Sequence, residues 1–429
     1  MGINNSFLYS FYFFIAYLST INIINVFMYS VTGNSFFINI APASKDLLFV
    51  FIFLILFYFI FKYKRVDSLS TIQYFIILYV LFVLFSVAIS DASFKYIILN
   101  IRRITEFMLI ILVFSMFRLT NNQYTRLLNF SFVILLAVFI FGVIGVLLPI
   151  EFWDDFLKVP EYWNNSAFGS NNFSSIFDSG RGYTSDLIFL TGEKFPRMLS
   201  TFVEPTTLGS FFTFYFIYSF FKKGLKYRNL YLVVSLIGGI LIFSKAFLLS
   251  FFMALIFKII GRPSLKLAFA MMVVIFILSL VISVYLGKVH GGLSHFIGFY
   301  SGFELLFSHP FGFGLGEAGN RGQFVDASIM NGNNGGESGL GNVLAQIGVF
   351  GGIIIIIFYK LLRLFSNLYN KFGNDDFFAL FMVTFTWFVI FCLSASSLGL
   401  SGNFIFFIFI GLFLNRKFQQ EIFKESSNA

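Results

Sequence analysis

Apolar runs of about 20 residues recur along almost the whole chain, separated mostly by short polar gaps. Each run has the length a helix needs to cross a hydrocarbon core of roughly 30 Å. Of the 429 residues, 58% are hydrophobic and only 11% charged, whereas a soluble domain carries about 25% charged residues to coat its surface. Surface-to-volume scaling leaves no way to hide that much apolar material from water. The expected fold is an all-α polytopic membrane protein, a single integral-membrane domain over 1–429. Nucleic-acid binding, secreted disulfide scaffolds and cytosolic enzymes are set aside on the same ground. The single cysteine, Cys392, excludes an intrachain disulfide. The three histidines, His290, His295 and His309, lack metal-ligand spacing, so no metal is expected. The first apolar stretch lacks a basic leader and a small-residue cleavage site, and reads as a retained helix. The 69 phenylalanines read as lipid-facing filler.

Hydropathy marks about twelve spans: 8–30, 46–62, 71–90, 97–117, 127–149, 205–221, 229–244, 246–260, 266–287, 338–360, 377–397 and 402–415. Two polar gaps are long, 150–204 and 288–337. The excess of Lys and Arg sets orientation, because such residues collect in cytoplasmic loops. With both termini cytoplasmic, the KKGLKYR cluster at 222–228 and Arg118, Arg126, Arg262, Lys266, Lys371, Arg416 and Lys417 fall inside. Both long loops then face the exterior. A transporter works near midplane through internal repeats, and no convincing repeat relates the two halves. Loops this long in a compact protein are usually functional or disordered, and Trp153, Tyr162, Trp163 and Phe173 argue for order in the first.

The densest chemistry is RMLSTFVEPTTLG, residues 197–209. Pro205 suits a first helical turn and Glu204 the positive end of the helix dipole, with Thr206 and Thr207 satisfying free amides. Arg197 a few residues upstream would bring a guanidinium and a helix N-terminus together, a place to hold a phosphate. An interfacial Arg–Glu pair stabilising the start of the helix is the plainer alternative. Arg102 and Arg103, with Glu106 one turn on, and Lys245 lie where a charge costs roughly 2.5–3.5 kcal/mol and normally faces the protein interior or a wet cavity. Snorkelling or an internal Arg–Glu pair would also satisfy them. The glycines of HPFGFGLGEAGN, 309–320, suggest phosphate binding, but no strand precedes them and no GK[ST] follows; tight turns are the alternative. Glu337, at the mouth of the 338–360 run, could abstract a proton if burial raised its pKa. His309, before a proline, reads as a turn residue.

Taken together, the twelve spans, two outer loops, the Arg…TF-x-EP-x-x-x-G segment, Ser244-Lys245 and the HP-x-G-x-G-x-G turn resemble the bacterial polysaccharide polymerase (Wzy-type O-antigen polymerase) and O-antigen ligase superfamily. Arg197, Glu204, Pro205 and Gly209 match the polymerase segment, and Ser244-Lys245 takes the place of the usual Ser-Arg, keeping charge but losing bidentate geometry. His309-Pro310 with Gly312, Gly314 and Gly316 matches the second-loop turn. Glu337 stands where ligases carry His followed by Asn and polymerases commonly an acid, which favours polymerase. Arg181…Gly192 and Arg321…Gly332 fit the family's Arg-x10-Gly spacing, and His295 sits about where the family often has Arg. The resemblance implies glycosyl transfer between undecaprenyl-diphosphate-linked glycans, donor and acceptor, on the outer face of the inner membrane. Arg197, Lys245 and Arg102 or Arg103 would meet the departing diphosphate, with Glu204 beside them. Arg181, Arg321, His295 and His309 would bind substrate, and Glu337 would take the acceptor proton. No cofactor is implied. The partners implied are the lipid bilayer, a chain-length regulator and a flippase. The ligase and a lipid-linked oligosaccharide flippase are the rival readings.

Overall fold

A computed structural model describes residues 5–38, 70–165, 173–178, 182–184, 195–285, 294–319, 336–400 and 402–415, with scattered positions between 43 and 58 and at 322, 418 and 419. The expected span 46–62 and most of the interval 166–194 therefore lie largely outside the described residues. The described chain is built on helices: α1 (Asn5–Thr32), α2 (Thr71–Val87), α3 (Phe94–Ser115), α4 (Asn121–Leu147), α5 (Val159–Asn165), α6 (Pro205–Phe221) and α7 (Arg228–Leu241). After these come α8 (Lys245–Ile260), α9 (Leu265–Tyr285), α10 (Ser294–Ser308), α11 (Gly339–Ile347), α12 (Ile353–Phe372), α13 (Asp375–Leu393) and α14 (Phe404–Leu414). One two-residue antiparallel pairing, Tyr183–Thr184 with Phe195–Pro196, closes the stretch before Arg197.

Local signals set the helix limits. Ser70 with Gln73 and Thr120 with Gln123 form capping boxes that satisfy free amides at the starts of α2 and α4. Left-handed Gly261 and Gly373 stop α8 and α12. Five helical segments among the described residues are long and apolar enough to cross a membrane, and the chain is an all-α protein suited to one.

Burial sorts the helices. In α13, 94% of the most apolar window is buried, against 17% in α9, so α13 is a central post and α9 turns most of its surface outward. Around α13 pack α6, α14 and the second half of α3, whose residues from Arg103 to Ser115 are all buried. The phenylalanines correct the expectation that they are lipid filler. Phe107, Trp387, Phe391 and Phe407 stack on one another with centroids 5.0–5.8 Å apart, and Phe211, Phe212, Phe214 and Phe216 are fully buried. Lipid is as apolar as the core, so packing geometry decides where rings go, and edge-to-face pairs favour the interior.

Helices α3 and α14 run side by side in the same direction. Phe107 faces Phe407, Gly411 abuts the Ile111 backbone, and Asn415 Nδ2 donates to the Ser115 carbonyl at 3.1 Å. That fixes two ends of the bundle. One end carries the α2–α3, α7–α8 and α13–α14 connections and the starts of α6 and α11. The other carries the α3–α4, α6–α7 and α12–α13 connections.

The single span expected at 338–360 is two elements. Gly348, at φ 60° and ψ −141°, ends α11 after nine residues, and a tight 3-10 segment through Gly352 redirects the chain into α12. The next 20 residues form α12, about 30 Å long. The expected loop 288–337 contains the 15-residue α10, whose Gly302 lies against Gly341 of α11. In the interval 150–204, Trp153, Leu157, Trp163, Ile176, Leu199 and Val203 form a small separate core with Val26. Trp153 Nε1 anchors it by donating to the Gly145 carbonyl at 2.8 Å, and burial pushes the neighbouring Tyr162 phenol up to about 12.

Candidate functional site

The segment 197–209 folds back onto the start of α8. Arg197 Nε donates to the Ile242 carbonyl at 2.9 Å, and Met198 N–H donates to the Leu241 carbonyl at 3.1 Å. The guanidinium thus sits on the C-terminal end of α7, where a cation also favours the helix dipole. Ser244 caps α8, its hydroxyl accepting from Phe247 N–H at 3.4 Å, and Lys245 opens that helix with its side chain exposed. Gly209 makes this contact possible: a Cβ there would stand 2.6 Å from Ser244 Oγ. Arg197, Gly209, Ser244 and Lys245, separated by up to 48 positions, meet around one turn.

Glu204 is the N-cap of α6, in extended backbone, and its carboxylate accepts from the Thr207 hydroxyl at 2.9 Å rather than capping the helix. This departs from the expectation that Thr207 serves a backbone amide. Strain gathers here. Ser200, Val203 and Phe243 all adopt positive φ, at 51°, 56° and 51°, which a β-branched residue such as Val203 resists. Such conformations persist only where the surrounding structure holds them, and they cluster at functional sites.

A second group lies at the same end. Arg103 is 7% exposed, and its Nη2 donates to the Ala395 carbonyl at 3.1 Å. The N–H of Ala395 in turn donates to the carbonyl of Glu337. The buried guanidinium and the acidic residue therefore grip one amino acid from its two sides. Ser338 follows, capping α11 through Gly341 N–H at 2.9 Å and donating its own hydroxyl to the Cys392 carbonyl at 2.5 Å. The Glu337 side chain is about half exposed (52%) and lies 3.2 Å from His295 Nδ1, which belongs to α10. Arg102, beside Arg103, is half-buried, and Glu106 is buried one turn further along α3.

The element that links both groups was not singled out by sequence. It is the α13–α14 connection, Ser394–Asn403, with a 3-10 turn at Ala395–Leu398. Ala395 meets Arg103 and Glu337. At the other end Gly402, at φ 75°, lies so close to the Thr207 carbonyl that a Cβ would collide with it. Asn403 Nδ2 ties the turn together by donating to the Gly399 carbonyl at 3.0 Å, and Ser394 and Ser396 join hydroxyls at 2.8 Å. The sequence puts the first three residues of ASSLGLSGN (395–403) inside the 377–397 apolar run and leaves only a short gap before 402, so nothing there marked a close approach.

Other expected residues are not gathered here. His309 is exposed and stacks on Phe313 at 4.0 Å, while Pro310 accepts from Val349 N–H at 2.8 Å. That places it at the C-terminal end of α11, whereas Glu337 precedes the N-terminal end, roughly 13 Å away along the helix. The glycine turn spends its amides internally. Phe313 N–H and Gly314 N–H donate to the carbonyls of Ala345 and Gln346, and Gly316 N–H to Gln346 Oε1 at 3.0 Å. Those groups cannot also cradle a phosphate, so the turn wedges α11 against Ser90, whose hydroxyl donates to the Leu315 carbonyl at 2.7 Å. Arg181, Arg321 and His290 lie outside the described residues, as do Gly192 and Gly332. Among the described residues no group of three His, Cys, Asp or Glu side chains is placed to hold a metal.

No family model matches the chain, and no curated protein aligns with it significantly.

Proposed function

We propose that the protein is a polysaccharide polymerase of the O-antigen type, a membrane glycosyltransferase that joins lipid-diphosphate-linked repeat units. The observation that carries the reading is the grip of Arg103 and Glu337 on the single residue Ala395, at the same end of the bundle as Arg197 and Lys245. Cations fixed by backbone carbonyls beside a half-exposed carboxylate suit a reaction in which a diphosphate leaves and a hydroxyl proton is removed. The acceptor hydroxyl oxygen forms a bond to the donor's anomeric carbon, and its proton passes to Glu337. The bond from that carbon to the phosphate oxygen breaks, and its electron pair leaves on the lipid diphosphate. Arg197, Lys245 and Arg102 or Arg103 stabilise the charge that develops there, since preorganised charge lowers a barrier without reorganising. His295 holds the Glu337 carboxylate in place, and Glu204 stiffens the start of α6 through Thr207. Arg181, Arg321 and His309 would contact glycan.

In this reading the chain has twelve spans, both termini are cytoplasmic, and the site faces the outside of a bacterial inner membrane. The donor and acceptor are undecaprenyl-diphosphate-linked glycans, with a flippase and a chain-length regulator as partners. The O-antigen ligase is the second reading. An acid rather than histidine at 337 favours the polymerase. Deletion of the gene in its own bacterium separates them: a polymerase defect leaves single-repeat lipopolysaccharide, whereas a ligase defect leaves bare core. Repeat units stranded inside the cell would instead indicate a flippase and overturn the enzyme reading.

A further inference from the structure

The opposite end of the bundle holds a cleft of about 420 Å³ that the glycosyl-transfer reading does not use. Three elements line it. Asn121, Thr125 and Asn129 occupy one face of the first turns of α4, four residues apart. Lys222 and Lys226 come from the α6–α7 connection, and Asp376 from the start of α13. The floor is closed. Asp376 is 6% exposed and accepts from the Tyr124 and Tyr218 hydroxyls at 2.8 and 2.7 Å and from Lys222 Nζ at 2.5 and 2.7 Å. The two phenol oxygens also lie against each other.

The Lys222 ammonium pairs with the Asp376 carboxylate and offsets its charge. An ammonium has three donors, and Asp376 engages Lys222 through two oxygens, leaving a donor for the cleft. Lys222 and Lys226 against Asp376 leave one net positive charge around the cleft. Thr125 and Asn129 are exposed in the second and third turns of a helix apolar enough to span a membrane. They flank the start of the 127–149 apolar run, the level at which lipid headgroups lie. Leu128 and Leu225 complete the lining with apolar surface. The connections at this end also carry Lys223, Arg228 and Lys371, and basic clusters at a membrane surface attract anionic headgroups.

We infer that this cleft binds the phosphodiester headgroup of an anionic phospholipid, the phosphate taking the lysine donors and the Asn129 amide and the glycerol lying against the leucines. A phosphodiester is a monoanion that only accepts hydrogen bonds, which matches both the net charge and the donor-rich wall. The leucines and the position on a spanning helix favour a lipid over free phosphate.

The test is native mass spectrometry of the full-length protein released from nanodiscs of phosphatidylcholine with phosphatidylglycerol at equal parts. Wild type is expected to retain one phosphatidylglycerol, and the double variant K226Q/N129L to retain about tenfold less at unchanged thermal stability, since both side chains are exposed. Arg126→Gln removes an exposed charge from the same helix without touching the cleft, and should retain the lipid as wild type does. Equal retention by K226Q/N129L and wild type would overturn the site. Equal loss in R126Q would reduce it to general surface charge and overturn it too. Displacement of the lipid by millimolar inorganic phosphate would overturn the lipid assignment.

Discussion

The two ends of the bundle use the same kinds of charged side chain in opposite ways. At the α3–α4, α6–α7 and α12–α13 end, Lys222 and Asp376 close on each other and on Tyr124 and Tyr218, so the charge of that pair is cancelled within the protein. At the other end Arg197 and Arg103 are anchored on the carbonyls of Ile242 and Ala395, and Lys245 and Glu337 reach the surface. A carbonyl fixes where a cation sits. The first arrangement stabilises the fold; the second holds its side chains in place beside the strained backbone at Val203 and Phe243. Buried ion pairs serve structure when complete and become a liability when broken, whereas charges held at a cleft can change with little effect on folding.

The contrast can be broken by mutation. Asp376→Ala should have the largest effect on stability. It would leave the Lys222 ammonium and two phenols without their acceptor, costing about 3–5 kcal/mol, read as a fall in thermal stability in detergent and in yield. Gly402→Ala comes next. Its positive φ and the Thr207 carbonyl beside it should cost about 1–3 kcal/mol, and the displaced turn should lower activity as well. Lys245→Ala should shift stability by no more than about 0.5 kcal/mol, as exposed substitutions usually do, yet shorten or abolish the polymer on a lipopolysaccharide gel at matched expression. If Asp376→Ala were harmless, or Lys245→Ala as destabilising as Asp376→Ala, the contrast between a buried structural ion pair and an exposed, replaceable cation would fail.

Where hydropathy was the signal, the sequence was a good guide. The run 205–221 coincides with α6, and 71–90, 246–260 and 266–287 lie within a few residues of α2, α8 and α9. Their limits are set locally, by Pro205, Ser70 and Gly261. The run 338–360 misled because its isoleucines are continuous in hydropathy across Gly348–Gly352, and a backbone turn of a few glycines has no hydropathy signature. Helix α10 was hidden by His295, the glycines and the polar residues that follow. At the site, Arg197, Lys245, Gly209 and Glu337 stood out because charge or glycine is costly in an apolar chain. Ser394–Asn403 did not, because its role lies in backbone carbonyls and N–H groups, which every residue has. Asp376 did not stand out either, because its burial depends on Tyr124 and Tyr218, 252 and 158 positions away.

The most direct measurement uses purified protein, a synthetic undecaprenyl-diphosphate-linked repeat unit and gel analysis of the product. Wild type should yield a ladder of lengthening chains, and Glu337→Gln, which keeps the shape of the side chain but cannot accept the proton, should yield single units only. A full ladder from Glu337→Gln at equal protein would contradict the assignment of the Arg103–Ala395–Glu337 corner as the reacting centre.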